Sequence, residues 1–483
     1  MKQKLYFVLA ALCLLAAAAA CGNGAEPAPG PEAEETLPPV SVPAPEETEP
    51  ELPVSAPGPE DVEAAAPESP APEQDPSLSQ RERDWIEDIE YLRTEYKTRH
   101  MDPFYLCPEE EFDWKLDRLK AKVGELSDVD IYCELRAVIA GMGDNHTFLY
   151  PSEALSEQMN NRVLPIITQY FGDRLYLSGY LEGYEQFAPY LLKEIVAVNG
   201  IDVAYLERKA SDIDNPFNEW SSKEHTPFYD TVFLDWAGCG YTNGYTLQIL
   251  NENNEVQTVE APIITREEGR ESTVIRPENW DHLFFNWNEN QAEYIEGENG
   301  GCVYMSYIEL DSVMEIIMLF DQTEDLIEAH PECGKLVLDL RFNSGGNGNR
   351  VPQIQTCAEQ LSRLPVGQTY VITGGYSASG AIACMAIFQD VLDAVVIGEP
   401  TGQFASFFHA MIPSGQFVLP HSQCQGRISE YWYETEAAVD AYYDENGRLY
   451  PWESTILPDV YVYQDIEDIR QGKDSVIEWV LAQ

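Results

Sequence analysis

Positive charge is scarce in this sequence: 29 Lys and Arg stand against 83 Asp and Glu, a formal net charge of -54. Phosphates would be repelled, so a nucleic-acid partner is excluded, as is a basic, surface-adsorbing mode of membrane binding. The excess acid itself implies only solubility and general repulsion. No Cys-x-x-Cys pair occurs, which removes zinc ribbons and dithiol redox motifs. No His-Glu-x-x-His occurs, which removes a common metallopeptidase signature. No metal and no other cofactor is therefore expected. Of ten cysteines, Cys13 and Cys21 fall in an N-terminal segment and eight remain. An even number permits disulfides outside the cell, but a chain of this size does not require them. Cys133 and Cys384 sit in helical apolar patterns and read as buried thiols. No internal repeat points to a solenoid.

The N-terminus carries an export pattern. Lys2 and Lys4 form a positive n-region, Leu5 to Leu15 an apolar h-region, and Ala16 to Ala20 a run of small residues before Cys21. A spanning helix needs about 18 or more apolar residues. Small residues directly before a cysteine resemble the lipobox of bacterial lipoproteins, in which that cysteine is acylated and becomes residue one. Ala18 stands where that pattern prefers Leu, and cleavage after Ala20 is the alternative. Residues 1–21 thus read as a signal peptide with Cys21 as lipidation site, giving a membrane-anchored protein on the extracytoplasmic side. Residues 22–78 are dominated by Pro, Glu and Ala and contain no Lys or Arg. They cannot bury enough apolar surface to offset ordering entropy and read as a disordered, extended tether.

Three regions follow. Residues 79–158 predict a helical segment: Trp85, Ile89, Leu92 and Tyr96 keep a 3.6-residue period, as do Phe112, Leu116, Leu119 and Val123. A third helix begins at Ser127, capped with Asp130, and runs to Met142, leaving His146 just past its end. Residues 159–268 predict a small β-rich module, with strand, Asn199-Gly200 turn and strand over 194–203 and a helix from Ala204. Residues 269–483 predict an α/β core in which buried strands, among them Lys335 to Leu340, Tyr370 to Thr373 and Val395 to Ile397, alternate with helices. Function in such a sheet gathers at loops beyond the carboxyl ends of strands.

The chemistry-bearing residues sit in those loops. Ser379 lies at a strand-to-helix turn, where amides at a helix start can stabilise an oxyanion. Gly345-Gly346 follows the preceding strand, and a serine nucleophile needs a base, for which His146 is a candidate. Four blocks occur in order: Gly143-Asp144-x-His146-Thr147, Leu338-Asp339-Leu340-Arg341-x-Asn343-x-Gly345-Gly346, Ser377-Ala378-Ser379 and Gly398-Glu399-Pro400-Thr401. Together they resemble the tail-specific, or C-terminal processing, serine peptidases and their tricorn-like relatives, over roughly residues 82 to 465. The resemblance implies an α/β fold with a layered, crotonase- or ClpP-like peptidase core and a PDZ-like β-rich module. It implies Ser379 as nucleophile, with Ser377 its rival, and the N–H groups of Gly345 or Gly346 and of Gly380 as oxyanion hole. Polypeptides or peptides are the implied substrates.

One branch of that family uses a lysine after the Gly-Glu-Pro-Thr block; here Gly402, Gln403 and Phe404 stand there, so a Ser/Lys dyad is not expected. The histidine-using branch assigns the base to His146, with Asn145 in the place of an orienting serine and Glu453 as the carboxylate completing the set. His409 and His421 are alternative bases. Asn145, Ile382 and the Gln403-Phe404-Ala405 stretch depart from the family pattern, and they motivate a competing reading: a catalytically inactive protein that binds peptides or other ligands at the cell surface. An α/β-hydrolase esterase fits poorly, because Ser379 occupies the final glycine of the Gly-x-Ser-x-Gly elbow.

Overall fold

The computed structural model describes residues 77–483 apart from 145, 160–161, 215–217, 241–243, 281–289, 298, 309–311, 411–413 and 434–455. The export segment with Cys21, nearly all of the tether, Asn145 and Glu453 lie outside the described residues.

Helices Gln80–Arg99, Glu109–Lys120 and Asp128–Ala140 form the N-terminal segment. The first and third open with reciprocal capping boxes, Ser79 with Glu82 and Ser127 with Asp130, each satisfying two amides that have no partner inside the helix. The third stops at Ala140 rather than Met142, because the chain turns at Gly143, whose φ of +83° suits glycine and whose Cβ would strike Leu106. The apolar faces of these helices share one core with Phe417, Leu419, Cys424 and Ile428 from near the other end of the chain. Backbone pairing reinforces that link. Strand Phe148–Tyr150 runs antiparallel to Gln425–Arg427, which also pairs with Gln416–Val418.

Two small antiparallel sheets follow. Ile166–Phe171, Arg174–Leu181 and Val274–Ile275 form one; Ile201–Asp202, Ile195–Val198, Gly244–Leu250 and Val256–Pro262 form the other. Asn199 and Gly200 both take positive φ, +49° and +76°, as a two-residue hairpin turn of the primed type requires. Helix Val203–Asp214 packs beside them and helix Glu219–His225 continues toward the core.

The core is a six-stranded sheet in the order Val460–Tyr461, Val395–Gly398, Gln368–Thr373, Lys335–Asp339, Cys302–Ser306 and Gln291–Ile295. All neighbours are parallel except the last, antiparallel pair. Alternate residues serve opposite faces. Val303, Met305, Leu336, Leu338 and Val371 pack on helices Val313–Ala329, Val351–Leu361 and Gly380–Leu392. Tyr304, Val337, Tyr370 and Ile372 pack on the C-terminal helix Ser475–Ala482. Burial on both faces explains why these strands read as continuous apolar runs. Cys133 and Cys384 are buried free thiols, as are the other six described cysteines.

The Asp-Leu-Arg of the second motif holds that C-terminal helix. Arg341 pairs with Asp339 at 2.6 Å and with Asp474 at 2.8 Å, all three buried, and Tyr304 donates to Asp339 at 2.8 Å. Asp474 also caps the helix through the N–H groups of Val476 and Ile477. Removing one member leaves an uncompensated buried charge. Arg341→Met is therefore expected to cost about 3–5 kcal/mol of stability, read by urea denaturation. A midpoint equal to wild type would show the trio to be dispensable.

Candidate active site

Ser379 stands between strand Gln368–Thr373 and helix Gly380–Leu392, with φ 51° and ψ -117°. A non-glycine residue in that region costs about 1–3 kcal/mol and persists only where its surroundings fix it. They do so from three sides. Asn343 Oδ1 accepts the Gly345 N–H at 2.8 Å, Asn343 Nδ2 donates to Tyr307 O at 2.8 Å, and the Ala378 N–H donates to Asn343 O at 3.2 Å. A Cβ on Gly345, itself at φ +109°, would lie 2.6 Å from Ser379 Cβ and 2.9 Å from Gly380 N, so only glycine allows this approach. The buried side chain of Gln403 accepts the Ser379 N–H at 2.5 Å.

Ser377, the rival serine, is 1% exposed; its hydroxyl donates to Leu340 O at 2.8 Å and accepts the Gly374 N–H at 3.1 Å. Its hydrogen bonds hold two loops together. Ser379 is half-buried and its Oγ lies 3.4 Å from His146 Nε2. These two residues are 233 positions apart in the chain.

His146 is held by an acidic anchor. Its backbone N–H donates to Asp144 Oδ1 at 2.9 Å; Asp144 Oδ2 receives the Thr147 hydroxyl at 2.5 Å and lies 3.0 Å from His100 Nε2. The Asp102 N–H donates to His100 Nδ1 at 3.1 Å, which places the proton of a neutral His100 on Nε2, facing Asp144. Thr147 Oγ1 in turn accepts the Ser429 N–H at 3.0 Å. Burial pulls the Asp144 carboxyl up, but the His100 hydrogen bond, the neighbouring imidazoles and the Thr147 hydroxyl hold it down to about 2. Burial lowers His146 to about 4 against the opposing charge of Asp144, with His409 and Arg427 adding to the downward shift. The ring stacks on Phe407, centroids 5.1 Å apart and planes 14° from parallel. Its Nδ1 has no hydrogen-bond partner among the described residues.

His421 pairs with Glu87 at 2.7 Å on the first helix, and His409 stacks on Tyr431; the single histidine bonded to Ser379 among the described residues is His146. The Gly345 amide is given to Asn343 and the Ser379 amide to Gln403, while Gly380 N opens the helix next to Ser379 and lies close to Gly345. Reading the sequence missed the roles of four contributors. Asp144 was legible as a short acceptor two residues before His146, an Asx-turn spacing. His100 and Phe407 carry no local signal, since only tertiary contact brings them here. Gln403 stands in the Gly402-Gln403-Phe404 stretch where no lysine occurs, and nothing in the sequence marks it as a partner of the serine backbone.

Helix Glu219–His225 closes the far end of the same loops. Asn218 Nδ2 donates to Thr401 O at 2.7 Å, and the Tyr376 hydroxyl donates to Glu224 O at 2.7 Å. Burial, then the neighbouring Glu399, pushes Glu224 up to about 8, and burial pushes Glu399 up to about 7.

No protein-family model matches the sequence, and no curated protein is similar to it. Among solved structures, mature CPAF complexed with lactacystin is similar with a TM-score of 0.55 and 11% identity, over 83% of this chain and 98% of that one. A further structure of mature CPAF gives 0.53 and 10% identity, over 83% and 97%. The D1 C-terminal processing protease of photosystem II reaches 0.36 at 14% identity, over 81% and 94%, too low an overlap to carry an argument. At identities near a tenth, the CPAF likeness shows a shared fold.

Two outcomes follow from this geometry. Asp144→Ala, which strips the His146 loop of three hydrogen bonds, should destabilise the protein by about 3 kcal/mol or more in urea denaturation, each bond to a charged acceptor contributing about 1.5–3 kcal/mol. An unchanged midpoint would remove the anchor. Glu224 and Glu399 keep their protons to about pH 8 and 7 in the folded chain but ionise near their ordinary 4.5 when unfolded, so stability should fall as pH rises from about 4.5 and level off above about 8. Glu224→Gln should flatten that decline in melting temperature between about pH 5 and 8; an identical pH profile would contradict the burial of this carboxyl.

Proposed function

We propose that this chain, which shares its fold with mature CPAF, is a serine peptidase of the tail-specific type hydrolysing peptide bonds through an acyl-enzyme on Ser379. One observation carries the reading: Ser379, on a strained turn at a helix start, faces the Nε2 of a neutral histidine at 3.4 Å. A ring whose pKa is about 4 is unprotonated at neutral pH and free to accept a proton. His146 takes the hydroxyl proton as Ser379 Oγ adds to the peptide carbonyl. The oxyanion receives the N–H groups of Gly346 and Gly380, the latter reinforced by the positive end of the helix. The imidazolium then protonates the leaving amine, and a water activated by the same ring releases the acyl group. The negative charge of Asp144 near the ring favours the imidazolium as it forms.

In this reading Glu453 and Asn145 are the residues to test for orienting His146. The flanks of the segment holding Glu453 support its candidacy: Tyr433 packs on Phe407, and Ile456 O accepts the Thr401 N–H at 3.1 Å. The two antiparallel sheets between Ile166 and Ile275 are the PDZ-like module of this reading, and the export pattern with Cys21 puts the enzyme on the extracytoplasmic side of a membrane. Substrates are polypeptides.

The test uses residues 79–483 with a fluorophosphonate probe and a peptide mixture. Wild type should label and cleave; Ser379→Ala should do neither, and His146→Ala should slow both by about 10⁴-fold or more. Absence of wild-type labelling would favour the inactive, ligand-binding reading. The labelling rate should stay flat from pH 8 to about 5 and halve near pH 4. A midpoint near the ordinary histidine value of 6.5 would contradict the buried base.

A further inference from the structure

We infer that Gln403 is a positioning residue for the nucleophile: its carboxamide is a backbone clamp that fixes the positive-φ conformation of Ser379. This rests on the peptidase reading for its meaning, though its geometry stands alone. Gln403 is fully buried, and its Oε1 accepts the Ser379 N–H at 2.5 Å. The bond runs to the main chain of the serine, not to its hydroxyl, and an amide cannot take a proton at neutral pH. Gln403 therefore has no part in proton transfer. Its contact addresses the strained torsion itself. Among the described residues no backbone carbonyl accepts the N–H of Ser379, which lies ahead of the helix that begins at Gly380.

The clamp is itself held. Thr401 Oγ1 donates to Gln403 O at 2.8 Å, and the Gly402 N–H donates to Ser377 O at 3.1 Å. A Cβ on Gly402 would fall 1.8 Å from Gly375 O, so the loop after Thr401 lies flush against the loop that presents the serine. The Gly-Glu-Pro-Thr-Gly-Gln stretch thus reaches Ser379 by a rigid path. The far side of the carboxamide gives a second sign that the group is placed for its acceptor oxygen. Gln403 Nε2 is buried without a partner among the described residues, a cost tolerated while Oε1 stays on Ser379. The same contact occupies the Ser379 amide, leaving the oxyanion to the amides proposed above.

The test compares Gln403→Met, which keeps the volume without the acceptor, with Gln403→Glu, which keeps an acceptor oxygen. Fluorophosphonate labelling and kcat for a cleaved peptide should fall by about tenfold to a hundredfold in the Met variant with KM unchanged, while the Glu variant stays within about threefold of wild type. Equal rates in Met and wild type, or equal losses in Met and Glu, would overturn the inference. Crystal structures of wild type and the Met variant give a readout independent of activity. Residue 379 should leave positive φ, or move its Oγ away from His146 Nε2, in the variant. If wild type does not label, the peptidase reading fails, and these structures still decide whether Gln403 sets the backbone; an unchanged φ and separation in the Met variant would refute it.

Discussion

The separation that has to be closed is the one between His146 and Ser379, 233 positions along the chain. No local preference brings them together. Closure comes from strand Phe148–Tyr150 pairing with Gln425–Arg427 and from the shared apolar core beneath, in which the N-terminal helices bury Phe417, Leu419 and Ile428. Loop-closure entropy grows only slowly with length, so a core of that size fixes a very long connection readily. A hydrogen-bonded sheet then sets the register to within one residue, because a one-residue slip would turn every side chain over. With Phe148 opposite Arg427, His146 emerges two residues before the pairing starts, and Asp144 takes up the remaining freedom through three donors.

The same logic governs the other partner. Ser379 occupies an unfavourable torsion, and each neighbouring motif residue acts on it through the backbone: Asn343 through Gly345 and Ala378, Ser377 through Gly374 and Leu340, Gln403 directly. Several motif residues that look chemical are thus architectural. Asp339 and Arg341 lie on the carboxyl end of a central strand, yet their charges are spent on Asp474 and the C-terminal helix. Glu399 is half-buried, and burial pushes its carboxyl up to about 7 against the opposing pull of Lys223 and Arg341. Buried charges persist here because each is paired, or is neutral at the pH where the fold is tightest.

Much of the fold was legible because its signals are local. Apolar period, capping pairs such as Ser127 with Asp130, and the Asn199-Gly200 turn each depend on residues a few positions apart. The helix end at Ala140 was misplaced by two residues, since Met142 continues the apolar pattern and only the contact of Gly143 with Leu106 breaks the helix. Of the candidate site, Ser379, His146 and the glycines stood out by motif. His100, Phe407 and the acceptor role of Gln403 did not, because each acts across a distance that sequence spacing does not encode.

The sequence by itself determined the alternation of strands and helices, the absence of metal-binding and nucleic-acid patterns, and which serine ends a strand at a helix start. Those follow from side-chain size, charge and short-range backbone preference. Only the tertiary structure decided that Ser377 is tied into the loops while Ser379 faces an imidazole, and that His146, rather than His409 or His421, is the histidine it faces. Both outcomes depend on packing and on hydrogen bonds between residues hundreds of positions apart, and a buried donor takes whichever acceptor the fold sets before it.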